Sequence, residues 1–208
     1  MSSGEKELEV KFYLDKLADL EHRLGALGAV LVQARTFELN LRFDTVNHAL
    51  TLAGRVLRLR QDAQAVMTYK GPGQMQEGVG VRQEIEFTVS DLTAARHLLE
   101  ALGYQVAATY EKYRSTYLLD GQKITLDELP YGDFVEVEGS EPSAIRAAAE
   151  KCGLAWDDRV VDSYLGIFTR YRVSQGKTMP DLTFKAFEGI HVTAPELGVK
   201  PADQVMGS

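Results

Sequence analysis

Cysteine is nearly absent: Cys152 is the only one in 208 residues, so no disulfide within the chain can hold the fold, and a reducing compartment is the expectation. Long apolar runs are missing too, with no stretch of about eighteen such residues to cross a bilayer as a helix. The opening MSSGEKELEV has no basic segment followed by an apolar one, and no secretory signal is read there. Basic charge is in deficit, 23 Lys and Arg against 30 Asp and Glu for a net charge of -7. That balance argues against the broad basic surface needed for general binding to nucleic acid or anionic membrane. The expectation is a cytoplasmic protein with neither as a partner, in which any anion is gripped locally.

What is present is a pattern of short alternating segments in a chain with 45% hydrophobic and 25% charged residues, ordinary for a globular protein. Strands are predicted in ELEVKFYL (7–14), RTFELNLRFDT (35–45), RVLRLRQD (55–62), AVMTYKG (65–71), VRQEIEFTV (81–89), EKYRSTYLL (111–119), KITLDEL (123–129) and DFVEVEG (133–139). Helical spacing marks 14–29, 91–103 with Asp91 as cap, 142–153 ending at Gly153, and VDSYLGIFTRY (161–171). This order reads as α+β with mostly antiparallel pairing. GPGQMQEGVG (71–80) is predicted as a mobile loop, with a lid and a plain connection as alternatives. From about residue 173 the pattern weakens, and 173–208 is an extension of unassigned structure that wraps the domain, serves a partner or is partly disordered.

Nearly every strand is charged on one face and apolar on the other. Alternation puts Glu7, Glu9 and Lys11 together, then Arg58 with Arg60, Thr68 with Lys70, Arg82 with Glu84 and Glu86, Lys112 with Arg114, Thr125 with Asp127, and Glu136 with Glu138. An open antiparallel sheet turning its polar side to water explains this simply. A sheet closed with that face inward explains it differently. Carboxylates about 6.8 Å apart along a strand repel by about 0.6 kcal/mol in water but about 2.4 kcal/mol at an effective dielectric near 20. Enclosed acids therefore need a cation and enclosed bases an anion. Recurrent Arg and Glu at i, i+2, and a strand count sufficient for a barrel, favour closure without deciding it.

Other signals are weak. QGKT (175–178) lacks the glycine that a phosphate-binding loop needs at position 171, which is Tyr171. His22, His48, His97 and His191 show no metal-ligand spacing. Cys152 and Trp156 read as core residues.

Taken in order, ELEVK, FDT (43–45), LRLR, TYKGP, RQEIE, EKYRSTY, ITLDEL, GDFVEVEG and SYLGIF resemble the CYTH, or triphosphate tunnel metalloenzyme, superfamily over roughly residues 5–170. The resemblance implies a closed eight-stranded antiparallel β-barrel with helices packed outside, a tunnel domain spanning 1–172, and a triphosphate bound inside with Mg²⁺ or Mn²⁺. It implies Glu7, Glu9, Asp127, Glu136 and Glu138 as metal ligands. Lys11, Arg58, Arg60, Lys70, Arg82, Lys112 and Arg114 are implied as phosphate-binding, with Glu7, Glu9, Lys11 and Lys70 catalytic. Glu84 and Glu86 are implied as metal contacts or as braces for the arginines. Asp162, where the family often has a basic residue, departs from the pattern and weakens any expectation that the C-terminal helix binds phosphate. The implied activity is a metal-dependent triphosphatase. A class IV adenylyl cyclase making cyclic AMP is the alternative, and a non-catalytic binding barrel a third. Dimers occur in this superfamily, which leaves a homodimer open.

Overall fold

The computed structural model describes residues 5–203. The first four residues read for a signal, and 204–208 of the extension, lie outside the described residues. In chain order the elements are β1 (Glu5–Leu14), α1 (Leu17–Ala26), β2 (Val30–Asp44), α2 (Ala49–Leu52), β3 (Val56–Gln61), β4 (Ala65–Lys70), β5 (Gln74–Gln76), β6 (Val79–Val89), α3 (Leu92–Ala101), β7 (Gln105–Leu119), β8 (Gln122–Leu129), β9 (Gly132–Gly139), α4 (Pro142–Lys151), β10 (Arg159–Val160), α5 (Tyr164–Ser174) and α6 (Ala194–Leu197). All eight predicted strands form, and Asp91 caps α3 by accepting from the backbone N–H groups of Thr93 and Ala94.

Those eight strands close on themselves. The hydrogen-bonded order is β1-β9-β8-β7-β2-β3-β4-β6, and β6 returns to β1 through pairs such as Glu7 with Arg82 and Glu9 with Gly80. Every pairing in the ring is antiparallel. Closure removes the edges that an open sheet leaves unpaired, and the side chains then alternate between an interior and an exterior.

The exterior is apolar where helices cover it. Leu8, Val10, Phe12, Val135 and Val137 pack with Leu20 and Leu24 of α1 and Ile145 and Ala149 of α4. On another side Leu41, Phe43 and Leu59 pack with Ala95 and Leu99 of α3. Cys152 and Trp156 belong to the first cluster, as expected of core residues.

A third cluster lies at one end of the ring. Tyr13, Tyr110, Leu129 and Phe134 meet Tyr164, Ile167, Phe168 and Tyr171 of α5, together with Leu182, Phe187, Val192 and Leu197 beyond it. The extension that sequence left unassigned wraps the ring and seals its floor. The Leu182 N–H donates to the Thr109 carbonyl, and the Leu182 carbonyl accepts from Glu111. Asp203 accepts from the Asp15 and Lys16 N–H groups at 2.8–3.1 Å, tying the extension to the turn between β1 and α1.

The glycine-rich stretch 71–80 differs from the predicted loop. Gln74–Gln76 pairs with Val79–Val81 across a two-residue turn. Glu77 and Gly78 hold φ of 52° and 82°, the left-handed geometry that a tight hairpin needs.

Candidate active site

The interior of the ring is a cavity of about 950 Å³. Its lining contains Glu7, Glu9 and Lys11 from β1, Arg42 from β2, Arg58 and Arg60 from β3, Lys70 from β4, and Arg82, Glu84 and Glu86 from β6. Lys112 and Arg114 from β7 and Glu136 and Glu138 from β9 complete the charged wall. Each reaches inward because it lies two residues from the next on a strand whose alternate positions pack outside. Of the twelve site residues expected from sequence, only Asp127 is absent from the lining. It is fully buried below the cavity surface.

Three groups of charge result. The first is acidic: ligand oxygens of Glu7, Glu9 and Glu138 all lie within 4.8 Å of one another. Three carboxylates at that spacing suit a hard divalent cation such as Mg²⁺ or Mn²⁺. Each acid has a cation beside it. Lys70 Nζ lies 2.5 and 2.6 Å from the Glu7 oxygens, Arg82 Nη2 donates to Glu9 at 2.6 Å, and Lys123 pairs with Glu138 at 2.5 Å. Burial raises the proton affinity of Glu7, but Lys70 and Arg82 outweigh it and hold the carboxyl below its ordinary range. For Glu138 burial wins and the pKa rises, with Lys123 as the main opposing charge. Burial also lifts Glu84 to about 7, Lys70 pulling it down and neighbouring Glu7 pushing it up.

The second group lies deeper. Asp127 accepts from Lys112 at 3.0 Å, from Arg114 Nε at 2.6 Å and from the Tyr164 hydroxyl at 2.7 Å. Glu136 pairs with Lys11 at 3.1 Å and accepts from Arg114 at 2.6 Å. Burial pushes both carboxyls up, but Arg114 with Lys112 holds Asp127, and Lys11 with Arg114 holds Glu136, below the ordinary range. The structure thus places these two acids in a network of cations, apart from the Glu7, Glu9 and Glu138 cluster.

The third group is the arginine wall. Arg58 donates to the Tyr110 hydroxyl at 3.3 Å and to Thr68 at 3.1 Å, and Thr68 in turn donates to Glu86 at 2.8 Å. Glu86 sits 3.6 Å from Arg58 and 3.7 Å from Arg60, the geometry of a brace. Arg42 has no acidic partner within ion-pair distance among the described residues. Burial and neighbouring Arg58 lower its pKa, whereas nearby Tyr110 and Asp44 raise it.

The lining residues Arg42, Tyr110 and Tyr164, and Glu38, which lies 3.5 Å from Lys112 behind them, were not read from the sequence as site residues. Glu38 and Arg42 carry the same signal as the rest, the i, i+2 pattern of ELNLR, with Asn40 between them. Tyr164 had no such signal: its ring lies 4.1 Å from Lys11 Nζ while its hydroxyl holds Asp127. Through it α5 reaches the interior, although Asp162 turns to an exposed pair with Arg170. Asp44 of the FDT stretch is structural: it accepts from Thr45, Leu50 and Thr51 and holds the α2 turn.

The profile of the CYTH domain family matches residues 5–156. Among solved structures, a candidate adenylate cyclase from Vibrio parahaemolyticus superposes with a TM-score of 0.72 at 23% identity, covering 80% of this chain and 99% of that one. A protein from Pyrococcus horikoshii gives 0.66 at 25% identity, covering 76% and 97%. A candidate adenylyl cyclase from Hippeastrum, described as having a dominant triphosphatase activity, gives 0.61 at 21% identity, covering 84% and 98%. No curated protein matches the chain.

Proposed function

Because the chain belongs to the CYTH domain family, we propose that it is a metal-dependent triphosphatase, hydrolysing an inorganic or organic triphosphate inside the ring. The observation supporting this is a division of charge across one cavity. In the ring order, β1 and β9 stand opposite β2 and β3. The acids Glu7, Glu9 and Glu138 therefore face Arg42, Arg58 and Arg60 across the lumen. A polyphosphate fits between the two walls, its oxygens on the guanidinium forks.

Glu7, Glu9 and Glu138 would hold the divalent cation, which supplies charge neutralisation at the phosphate and a more acidic attacking water. Lys70 and Arg82 neutralise Glu7 and Glu9 in this structure, and they are positioned to turn to phosphate oxygens once those carboxylates are otherwise engaged. Lys11 is fixed by Glu136 and by the Tyr164 ring. Burial alone would lower its pKa, but Glu136 and Glu9 raise it, so it remains a cation at neutral pH. Lys112 and Arg114, tied to Asp127, form the rigid base on which the phosphates rest. Glu84 and Glu86 brace Lys70 and the arginines.

The test is a substrate panel: tripolyphosphate, thiamine triphosphate and ATP, each with Mg²⁺ or Mn²⁺ and with EDTA. Phosphate release that EDTA abolishes is the expected result. Cyclic AMP with pyrophosphate as the main products from ATP would replace the hydrolase with a cyclase. Binding without turnover of any substrate would leave a binding barrel.

A further inference from the structure

A second cavity, about 300 Å³, adjoins the tunnel where β1 changes partners. Up to Glu9, β1 pairs with β6; from Lys11 it pairs with β10, at Val160. The wall is interrupted between them, and the β5–β6 hairpin folds beside the gap. The two cavities share Glu9, Lys11, Arg82 and Ser163, so the smaller one adjoins both the acidic cluster and the phosphate grip. Its own walls differ in kind. Met75, Val81, Val160 and Val161 supply apolar surface, while Gly73, Gly78 and Gly80 leave room by having no side chain. A Cβ on Gly78 would come within 3.1–3.3 Å of the Arg159 guanidinium, so glycine there lets Arg159 lie against the hairpin.

We propose that this side chamber receives the organic head of the triphosphate and selects an uncharged planar ring over a cationic one; the assignment rests on the triphosphatase reading above. Volume and lining fit: small-molecule sites begin near roughly 300 Å³ and are mostly apolar with a few polar groups. A thioether beside an aromatic ring is favourable, and guanidinium groups stack on planar rings. Charge sets the selection. Of the chamber's cations, Lys11 is paired with Glu136 and Arg82 with Glu7 and Glu9, which leaves Arg159, whose acidic partner among the described residues is the fully exposed Asp157 at 3.7 Å, as the one not held by a buried carboxylate. A permanent positive charge in the head, such as a thiazolium, meets the Arg159 guanidinium at short range, whereas an uncharged nucleobase can stack on it. Tripolyphosphate occupies the tunnel and leaves the chamber unused.

The experiment is titration calorimetry in EDTA, where turnover is stopped, alongside phosphate release in Mg²⁺. The ligands are ATP, thiamine triphosphate and tripolyphosphate, with wild type, Gly73→Phe and Val161→Trp. Gly73 has open space at its Cβ position and Val161 is 70% exposed, so both substitutions fill the chamber without breaking the ring. Wild type is expected to bind ATP about tenfold more tightly than thiamine triphosphate. At least one filled variant should weaken ATP about tenfold and shift tripolyphosphate less than about twofold. ATP affinity unchanged in both variants, equal weakening of ATP and tripolyphosphate, or tighter binding of thiamine triphosphate would each overturn the head site. Tripolyphosphate hydrolysis alongside any of those outcomes leaves the triphosphatase intact. Selective loss of ATP binding in a protein that hydrolyses nothing would keep the head site and remove the triphosphatase.

Discussion

Glu136 and Glu138 are two residues apart on one strand and face the same lumen, yet their chemistry is opposite. Glu136 has Lys11 and Arg114 against it and is held ionised; Glu138 has only Lys123 and its proton affinity is raised. The two acidic regions as wholes differ in arrangement, although Glu7, like Glu136, is held below its ordinary range by its cations. Near the floor, Asp127 and Glu136 are tied to Lys11, Lys112, Arg114 and Tyr164. In the cluster of Glu7, Glu9 and Glu138, side chains are 10–18% exposed and the carboxylates converge on one another. Acids whose demand for positive charge is already met build a scaffold. Acids that converge on one another at the cavity wall, beside cations that can turn to an anionic ligand, are the ones that gain from a bound cation.

Four substitutions sharpen or break that distinction. Asp127→Ala leaves Lys112 and Arg114 buried without their main partner, and a loss of roughly 3–5 kcal/mol in folding stability is expected from denaturant unfolding. A loss below about 1 kcal/mol would move Asp127 out of the scaffold. Glu9→Ala should do the reverse, lowering metal-dependent turnover by roughly a hundredfold, about 2.7 kcal/mol in the barrier, with a stability change under about 1 kcal/mol. Full turnover by Glu9→Ala would end the metal assignment.

The smallest effect concerns pH. The folded-state pKa of Glu136 is depressed, so its ionic contribution to stability is complete above the ordinary carboxylate pKa of 4.5 and lost as acid titrates the folded state below it. That of Glu138 is raised, so its ionised form opposes folding at neutral pH and this penalty disappears in acid. Accordingly Glu136→Gln should destabilise at pH 8, while Glu138→Gln should stabilise there by a few tenths of a kcal/mol, roughly, with the gain vanishing by about pH 4. Equal effects from the two would show that β9 carries one kind of acid.

The strands were legible because alternation with period two is local, and the hairpin at Asp120 and Gly121 carries the dipeptide its turn requires. Closure of the sheet was suggested by charge and supplied by family resemblance, since no local signal states that Glu7 pairs with Arg82 across the ring. The difference between Glu136 and Glu138 was not readable, because it depends on neighbours from β1, β7 and β8. Nor were β5, β10 and the wrapped extension: these are short segments whose form is set by contacts with distant parts of the chain, as when Asp203 holds the turn at Asp15 and Lys16. Glu77 and Gly78 hid their turn in a stretch of four glycines without flanking alternation.

β1 has a consequence for how the molecule is made. It is the strand that completes the circle, bonding to β9 on one side and to β6 and β10 on the other, yet it leaves the ribosome before all of them. Its margin facing β6 can pair once residue 89 is made, but the margin facing β9 stays open until residue 139 has been made. Closure is therefore a late, long-range event that follows synthesis of most of the polypeptide, and the nascent ELEVKFYL segment is the part most in need of a chaperone's shelter.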